Sequence, residues 1–327
     1  MINLVQNELL KLISKKKLLV ITLIMAALIS LFTYAQFKET ERTMERFQTS
    51  DWRESLELQI NDTKSRLNNS TFHSDEWRQQ LEIRIQQQQY YLDHNINPRE
   101  PGAPTFVRLF LESAVHLLLP LLIMIIAADL VSSEYSLGTV KLLLTRPVER
   151  WKVLLSKYIT LILTVSLIIF IFGFLSYSFS GLVFGFRGWE APVLMGFQSE
   201  GTILNIADVK LVQQWQYLLM AFGLAWFVTL VVGTLSFMLS VLLKSTAAGM
   251  GIMLACLISG TILSSMVASW ESAKYFFMVN LNLVGYLSGS SPPIEGMSLL
   301  FSLTVLSVWG IVALIVAFTT FTRKDVF

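Results

Sequence analysis

Six apolar segments constrain the fold of this chain more than any other feature of its sequence. Each holds about 20 or more mostly apolar residues, and a helix of that length crosses a hydrocarbon layer about 30 Å thick. In lipid, backbone N–H and C=O groups must be bonded within the segment itself, which favours helices. The predicted spans are residues 18–37, 106–131, 153–179, 215–243, 247–270 and 297–321. The sequence therefore predicts an all-α membrane protein with six transmembrane helices.

Composition agrees with this class. Hydrophobic residues make up 54% of the 327 residues and charged residues only 15%, against about 25% charged residues in ordinary globular proteins. A formal net charge of +2 does not indicate a nucleic-acid partner. With a single cysteine, Cys256, the chain has no internal disulfide. Residues 1–17 form an amphipathic run before the first span, so we expect a retained first span with an interfacial helix in front of it.

Basic residues in the short connecting segments predict the orientation, because they are retained on the cytoplasmic side. Eleven lie on one side, and only Arg187, Lys210 and Lys274 lie in the short loops opposite. The eleven are Lys11, Lys15, Lys16, Lys17, Lys141, Arg146, Arg150, Lys152, Lys244, Arg323 and Lys324. Both termini, the turn at 244–246 and the tail at 322–327 are thus predicted to be cytoplasmic. The expected location is the plasma membrane, as a multi-pass protein of a bacterial cytoplasmic membrane.

Residues 38–105 are predicted to form an extracellular helical hairpin. Residues 51–60 recur as 76–85 with five of ten positions identical, and each copy presents one apolar stripe at helical spacing. Ser50 and Ser74 are candidate N-caps, and the turn is expected at 68–71. The stripes are Trp52, Leu56, Ile60 and Leu67 in one copy and Trp77, Leu81, Ile85 and Leu92 in the other. A spacer without a ligand and a ligand-binding hairpin both fit this pattern.

Two further segments are predicted on the outer side. Residues 180–214 are expected to form a loop, and 271–296 an extracellular or re-entrant segment. Within the latter, 275–287 is apolar but short, and stretches of this length more often re-enter or lie in the interface than span. Asn280 and Asn282 also argue against contact with lipid. A full seventh span is the alternative, and it would reverse the C-terminus.

The connecting segment at 132–152 is predicted to contain a short cytoplasmic helix. Leu137, Val140, Leu144 and Val148 share one helical stripe, and Pro147 ends it. A rigid helix between two spans could transmit movement to both of them. An ordinary interfacial loop helix would give the same pattern.

This segment resembles the hallmark of the type-2 family of ABC transporter permeases, in which a Glu, then Gly-Thr, an apolar run, Pro, Arg and Lys follow the second span. The matching residues are Glu134, Gly138, Thr139, Pro147, Arg150 and Lys157, together with an amphipathic N-terminal helix that carries Glu8 and Lys11. The resemblance covers nearly the whole chain. The external hairpin departs from it, because many short family members have only a small loop there.

The resemblance implies a permease subunit of an exporter, with a coupling helix that docks in a cleft of a separate ATPase. A second permease, identical or homologous, would complete the path, and ATP and Mg would be bound by the partner ATPase. The implied coupling residues are Glu134, Leu137, Gly138, Thr139, Lys141, Pro147 and Arg150.

No enzymatic site of the chain's own is predicted. Nothing matches Gly-x-x-x-x-Gly-Lys-Ser/Thr, whose backbone amides would cradle phosphates. His73, His94 and His116 have no second His or Cys at metal-ligand spacing, so neither a metal nor a cofactor is expected.

The second predicted span carries Glu112, His116 and Pro120 at steps of four, on one helical face. Ionisable groups at membrane depth are costly and face protein or water. Glu112 and His116 are therefore candidates for lining the translocation path, and a wetted pair near the helix end is the alternative. Pro120 is expected to kink the helix. Asp129, near the cytoplasmic end, is expected to cap or orient the coupling helix.

An alternative function from another class is a membrane sensor or scaffold that binds a peptide or antibiotic through residues 38–100. The sequence does not distinguish a lipid, peptide, antibiotic or ion as cargo, nor a homodimer from a heterodimer.

Overall fold

The computed structural model describes residues 1–49, 51–69, 75–139, 148–200, 203–243, 245–266, 270–290, 292–294 and 296–323. Most of them are helical. The helices are α1 (Ile2–Ser14), α2 (Lys17–Phe47), α3 (Trp52–Asn69), α4 (Asp75–Asp93), α5 (Ala103–Ala114), α6 (Leu118–Ala127), α7 (Ser132–Ser136), α8 (Arg150–Phe184), α9 (Gln214–Leu242), α10 (Thr246–Met266), α11 (Gly285–Ser288) and α12 (Leu299–Arg323). Five of them, α2, α8, α9, α10 and α12, are long and apolar enough to cross a membrane. The chain is a multi-pass membrane protein.

Long apolar sequences without internal proline form these helices, and α9 lies at the centre of their bundle. It packs against α12, α6, α8 and α5. Apolar side chains on the outer faces of the bundle, such as Phe170 and Leu219, are exposed, as expected of surfaces that contact lipid tails. We call the end of the bundle that carries the N-terminus and the start of α8 the basic end, and the opposite end the outer end.

The second predicted span is broken rather than continuous. Helices α5 and α6 meet at 62° across residues 115–117, and the two together would supply a sixth span. The predicted kink is confirmed, and its position follows from Pro120, the third residue of α6. Proline has no N–H for the carbonyl four residues earlier, which is that of His116, and its ring clashes with that carbonyl. The helix therefore breaks before it reaches the proline.

The predicted helical hairpin is present as α3 and α4, which pack against each other, and its extracellular location stays a prediction. Arg53 near the start of α3 donates from Nε to Asn95 Oδ1, just beyond the end of α4, at 2.7 Å, so the helices run antiparallel. Asp51 accepts the Arg53 amide at 3.0 Å, as an N-cap residue does. The predicted caps Ser50 and Ser74 lie outside the described residues. Asn68 and Asn69 still belong to α3, so the prediction that both lie in the turn was wrong.

Four short strands were not predicted. In the segment expected to be a loop, β1 (Pro192–Met195) pairs antiparallel with β4 (Lys210–Gln213), and β2 (Gln198–Glu200) pairs with β3 (Ile203–Asn205). Their apolar residues complete a small second core with α4, formed by Ile83, Ile96, Leu194, Phe197 and Leu204. This ribbon gives α4 a second apolar partner besides α3. The fold is therefore predominantly rather than purely helical.

The outer segment after α10 forms no seventh span in its described part. It contains two 3₁₀ turns, Glu271–Tyr275 and Phe277–Asn280, and the single turn of α11. Phe277, Leu281 and Leu283 are nonetheless buried in the main core. Asn280 holds the segment by donating from Nδ2 to the carbonyls of Lys274 and Phe276, both at 2.8 Å.

Candidate functional site

Lys157, on the second turn of α8, lies at the centre of a charged cluster at the basic end. Its Nζ is 2.7 Å from Glu8 Oε2 and 3.2 Å from Glu134 Oε1, and it donates to the Leu130 carbonyl at 2.9 Å. The residue is only 1% exposed. A buried ammonium group costs several kcal/mol unless it is paired and hydrogen-bonded, and these three acceptors match its three donors. Lys157 therefore ties α1 and the start of the 132–152 segment to α8.

Lys11 completes the cluster from α1. Its Nζ lies 2.9 Å from Glu8 Oε1 and 2.9 Å from Glu134 Oε1. Residues three apart on a helix share a face, so Glu8 and Lys11 present one carboxylate and one ammonium group together. Two positive and two negative groups alternate, and their formal charges cancel. We call Glu8, Lys11, Glu134 and Lys157 the ion-pair cluster.

The electrostatics of Glu134 follow from its neighbours. Burial by itself raises the pKa of this carboxyl group, but Lys157, Lys11 and the Thr139 hydroxyl outweigh burial and lower its pKa to about 2. Thr139 Oγ1 donates to Glu134 Oε2, which links two residues of the motif. Burial lowers the pKa of Lys11, but the hydrogen bonds that Lys11 donates to Glu134 and Glu8 more than reverse this effect, so its pKa is raised overall. Glu134 and Lys11 therefore stay charged at neutral pH.

Asp129 forms a second ionic contact beside the cluster. Its Oδ2 lies 2.6 Å from Lys17 Nζ and 3.1 Å from Lys15 Nζ. Between these two lysines, Lys16 adopts a left-handed backbone conformation with φ 55°, and the chain turns there from α1 into α2. The Asp129 carboxylate thus holds the α1–α2 junction. That Asp129 caps or orients the coupling helix stays a prediction, because most of that helix lies outside the described residues.

The start of α7 is fixed from α9 and α10. The fully buried Ser240 hydroxyl accepts the Val131 and Ser132 amides at 3.0 and 2.9 Å, and Ser132 Oγ lies 2.7 Å from Thr246 Oγ1. Unpaired amides at a helix start need acceptors, and Ser240 supplies one.

The residues predicted for coupling divide into two groups. Glu134 belongs to the ion-pair cluster and Thr139 donates to it. By contrast, Leu137 is 69% exposed, and no described atom lies within 4 Å of a Cβ built at Gly138. Gly138 adopts φ 71°, in the left-handed region that favours glycine. Arg150 begins α8. Lys141 and Pro147 lie outside the described residues, as does most of the predicted amphipathic helix.

Glu112 and His116 do not form a side-chain pair. Glu112 accepts the Tyr217 hydroxyl at 2.6 Å and lies 3.9 Å from Arg108, while the buried His116 Nδ1 has no hydrogen-bond partner in the part of the chain that the structure describes. Arg108 and Tyr217 were missed by the sequence analysis. A basic residue one helical turn before Glu112, in an otherwise apolar run, was the available signal for Arg108.

The sequence did not indicate that Glu134 pairs with lysines, or that Glu8 shares those lysines. Glu8, Lys11 and Lys157 entered only as isolated matches to a family pattern. A lysine inside an apolar span needs a carboxylate or carbonyl nearby, which could have predicted that Lys157 pairs. The carboxylates it would meet are set by how α1 and α7 fold onto α8.

Comparison with known proteins places the chain among relatives without an assigned activity. Uncharacterized protein YhcI of Bacillus subtilis (strain 168) is 28% identical over 336 aligned residues, which cover 100% of this chain and 99% of that protein. Uncharacterized membrane protein YdbK of the same organism is 26% identical over 215 residues, 65% of this chain and 80% of that protein. Residues 79–327 match the model of a family described as a protein of unknown function, DUF2705. Because that match covers most of its length, the chain belongs to the DUF2705 family.

Proposed function

We propose that this protein is the membrane-embedded permease subunit of an ATP-driven exporter of the ABC type, coupled to a separate ATPase polypeptide. One observation carries the proposal. The segment after the second span is fixed by the ion-pair cluster both to the N-terminal helix and to α8. A force applied to that segment from the basic side would therefore move a membrane-spanning helix directly.

The start of the segment after the second span is fixed, and the residues that follow it are exposed, which supports a role in coupling. Its beginning is held by buried charges, whereas Leu137 projects an exposed apolar side chain and no atom of the described residues lies within 4 Å of a Cβ at Gly138. Exposed apolar groups next to a fixed element suit the docking of a protein partner. ATP and Mg belong to that partner in this scheme. A second permease, identical or homologous, would enclose the path.

The mechanism is a two-state change. Closure of the two ATPases on ATP would pull the docked segments together, and Glu134 and Lys157 would carry the movement into α8. A nucleotide can drive such a change only by favouring one arrangement over the other. The broken α5–α6 pair, which packs on the central α9, offers a place where the span can bend between two arrangements.

Co-purification tests the proposal. The tagged chain is solubilised from the membranes of its own cells, and its partners are identified by mass spectrometry. We expect an ABC ATPase with the native chain and its loss after removal of residues 137–144. Arg66→Gln is the matched control, because Arg66 is an exposed residue on the external α3.

The outcomes separate the candidate functions. Failure to recover any ATPase, or its retention after the deletion, would contradict the coupling role. A peptide or antibiotic bound by residues 38–100 in the absence of an ATPase would favour the sensor. With the partner in hand, substrate-stimulated ATP hydrolysis in proteoliposomes measures the coupling itself.

A further inference from the structure

A second buried polar cluster lies at the outer end of the bundle, away from the ion-pair cluster. Arg108 on α5 is 7% exposed, and its guanidinium carbon lies 5.7 Å from the ring centre of Tyr217 on α9. Glu112 bridges the same two helices through its 2.6 Å bond from the Tyr217 hydroxyl. Ser288 of α11 lies near Tyr217. Helices α5, α9 and α11 therefore meet around buried polar groups.

Arg108 is poorly satisfied for a buried cation. A guanidinium group has five N–H donors. Its contacts with described residues are one hydrogen bond to the Pro98 carbonyl at 2.8 Å, the Tyr217 ring and Glu112 at 3.9 Å, and its buried Nε has no partner. Glu112 is bound more closely by Tyr217 than by Arg108. A buried charge with so few close partners is costly.

Two other unpartnered groups lie one helical turn outward. Thr105 Oγ1 and Gln214 Nε2 are buried and have no hydrogen-bond partner among the described residues. Thr105 is three residues before Arg108 on α5, and Gln214 is three before Tyr217 on α9, so each shares a face with the residue below it. Because Arg108 and Tyr217 are in contact, Thr105 and Gln214 line the same seam between the two helices.

The unpartnered atoms define the chemistry of an occupant. Arg108 Nε and Gln214 Nε2 are donors, and the Thr105 hydroxyl can donate. Buried donors are nearly always hydrogen-bonded, and guanidinium and amide donors bind carboxylate and phosphate oxygens. We propose that this seam, formed by Thr105, Arg108 and Gln214, binds an oxyanion, with Arg108 supplying the charge. A lipid phosphate and a free anion share this chemistry, and the experiment separates them.

The full-length protein is reconstituted in phosphatidylcholine nanodiscs, and its thermal unfolding is followed with a thiol-reactive dye on Cys256. One arm adds inorganic phosphate, and the other replaces part of the lipid with phosphatidylglycerol. A ligand that binds only the folded state raises the midpoint temperature of unfolding as its concentration increases. We expect such a rise in at least one arm, and the responding arm identifies the source.

Substitutions in the seam test whether the increase in the unfolding midpoint comes from an anion bound there. Arg108→Gln should abolish it, and Gln214→Leu and Thr105→Val should each shift the half-saturating concentration upward by about tenfold, the value of one charge-assisted hydrogen bond. The control Arg99→Gln removes an exposed arginine that pairs with Glu39 and should leave the rise unchanged. If Arg108→Gln does not fold, the other two variants decide.

Three results would overturn the proposal. The first is no saturable increase in the unfolding midpoint in either arm. The second is an increase in the seam variants equal to that of the native protein. The third is a loss of the increase in Arg99→Gln equal to the loss in Arg108→Gln. None of them depends on an ATPase, so failure here leaves the exporter proposal standing, and success does not establish it.

Discussion

At the scale of single residues, a lysine buried in an apolar span is the most consequential side chain of this protein. Lys157 could not be buried unless three acceptors surrounded it, and the chain supplies these from α1, α7 and the carbonyl of Leu130. Burying charges contributes little net stability, but breaking a completed buried pair is expensive. The cluster therefore enforces one arrangement of three elements.

Replacing Lys157 tests this view. Lys157→Leu leaves Glu8 and Glu134 to share Lys11, and we expect the free energy of unfolding to fall by about 3 kcal/mol. Dye labelling of Cys256 during heating provides the measurement. Lys152→Leu is the control, because Lys152 is exposed and pairs with the exposed Glu149. Equal destabilisation by both substitutions would contradict a special role for the buried lysine.

The pH dependence of stability gives a second prediction. The pKa of Glu134 is about 2 in the folded protein, below its ordinary value of 4.5, so its contribution is complete above pH 4.5 and is lost as the pH falls towards 2. The difference between the pKa values of the unfolded and folded states sets this contribution to the free energy of unfolding. Because water near the carboxylate screens its charge, we expect a contribution of about 2 kcal/mol.

The comparison is made between the native protein and Glu134→Gln. The difference between their thermal midpoints should be largest above pH 4.5 and should shrink below it. Glu149→Gln, at an exposed carboxylate, should show little difference at any pH. A native–variant difference that stays constant down to pH 3 would show that the Glu134 carboxylate is not held by Lys11 and Lys157.

At the scale of elements, the broken second span and the outer segment distinguish this bundle from six straight helices. The bend between α5 and α6 coincides with the carbonyl that Pro120 cannot satisfy. The outer segment lies so close to α10 that a Cβ at Gly260 would be 2.8 Å from the Met278 carbonyl oxygen and 2.6 Å from its Cβ. Both features depend on a single residue type at one position.

Pro120→Ala should straighten the second span. The new N–H can bond to the His116 carbonyl, and we expect the distance between positions 109 and 125 to increase by about 3 Å, from helix geometry. Spin labels at these positions, in a Cys256→Ser background, report the distance by electron paramagnetic resonance. An unchanged distance would mean that packing against α9, rather than proline, holds the bend.

Gly260→Val should separate α10 from the outer segment. Forcing a larger side chain against the Met278 backbone costs about 1–3 kcal/mol, and Cys256, one turn earlier on α10, should become easier to label below the unfolding temperature. Gly251→Val is the control, since no atom of the described segments lies within 4 Å of a Cβ there. Similar labelling in the two variants would argue against the close contact.

At the scale of the whole molecule, the chain divides into two ends with different polar chemistry. Lysines concentrate at the basic end, where they bind Glu8, Asp129 and Glu134. The outer end carries the helical hairpin, the β-ribbon and the seam around Arg108. A force applied at one end can reach the other through α8 and α9, which run the length of the bundle and pack on each other.

Membrane orientation is the prediction on which the proposed function depends. Single cysteines placed at Lys141 and Arg146 in a Cys256→Ser background should be labelled only after the cell membrane is opened. A cysteine at Lys64, exposed on α3, should react in intact cells. Labelling of position 141 or 146 from outside would place the coupling segment on the wrong face, and the exporter proposal would then be withdrawn.

The sequence by itself determined the class of protein, the approximate spans, the helical hairpin and the bend, because apolar length, helical periodicity and a missing proline N–H are local properties. It also identified Glu134 and Thr139. Only the tertiary structure decided that Glu134 meets Lys11 and Lys157, that Glu112 meets Tyr217, and that a β-ribbon covers α4. Lys11 lies 123 positions from Glu134 and Tyr217 lies 105 positions from Glu112, whereas Lys157 lies 23 positions from Glu134 but on another helix, and the ribbon depends on cross-strand pairing. The geometry of helix packing, which local patterns do not specify, brings such groups together.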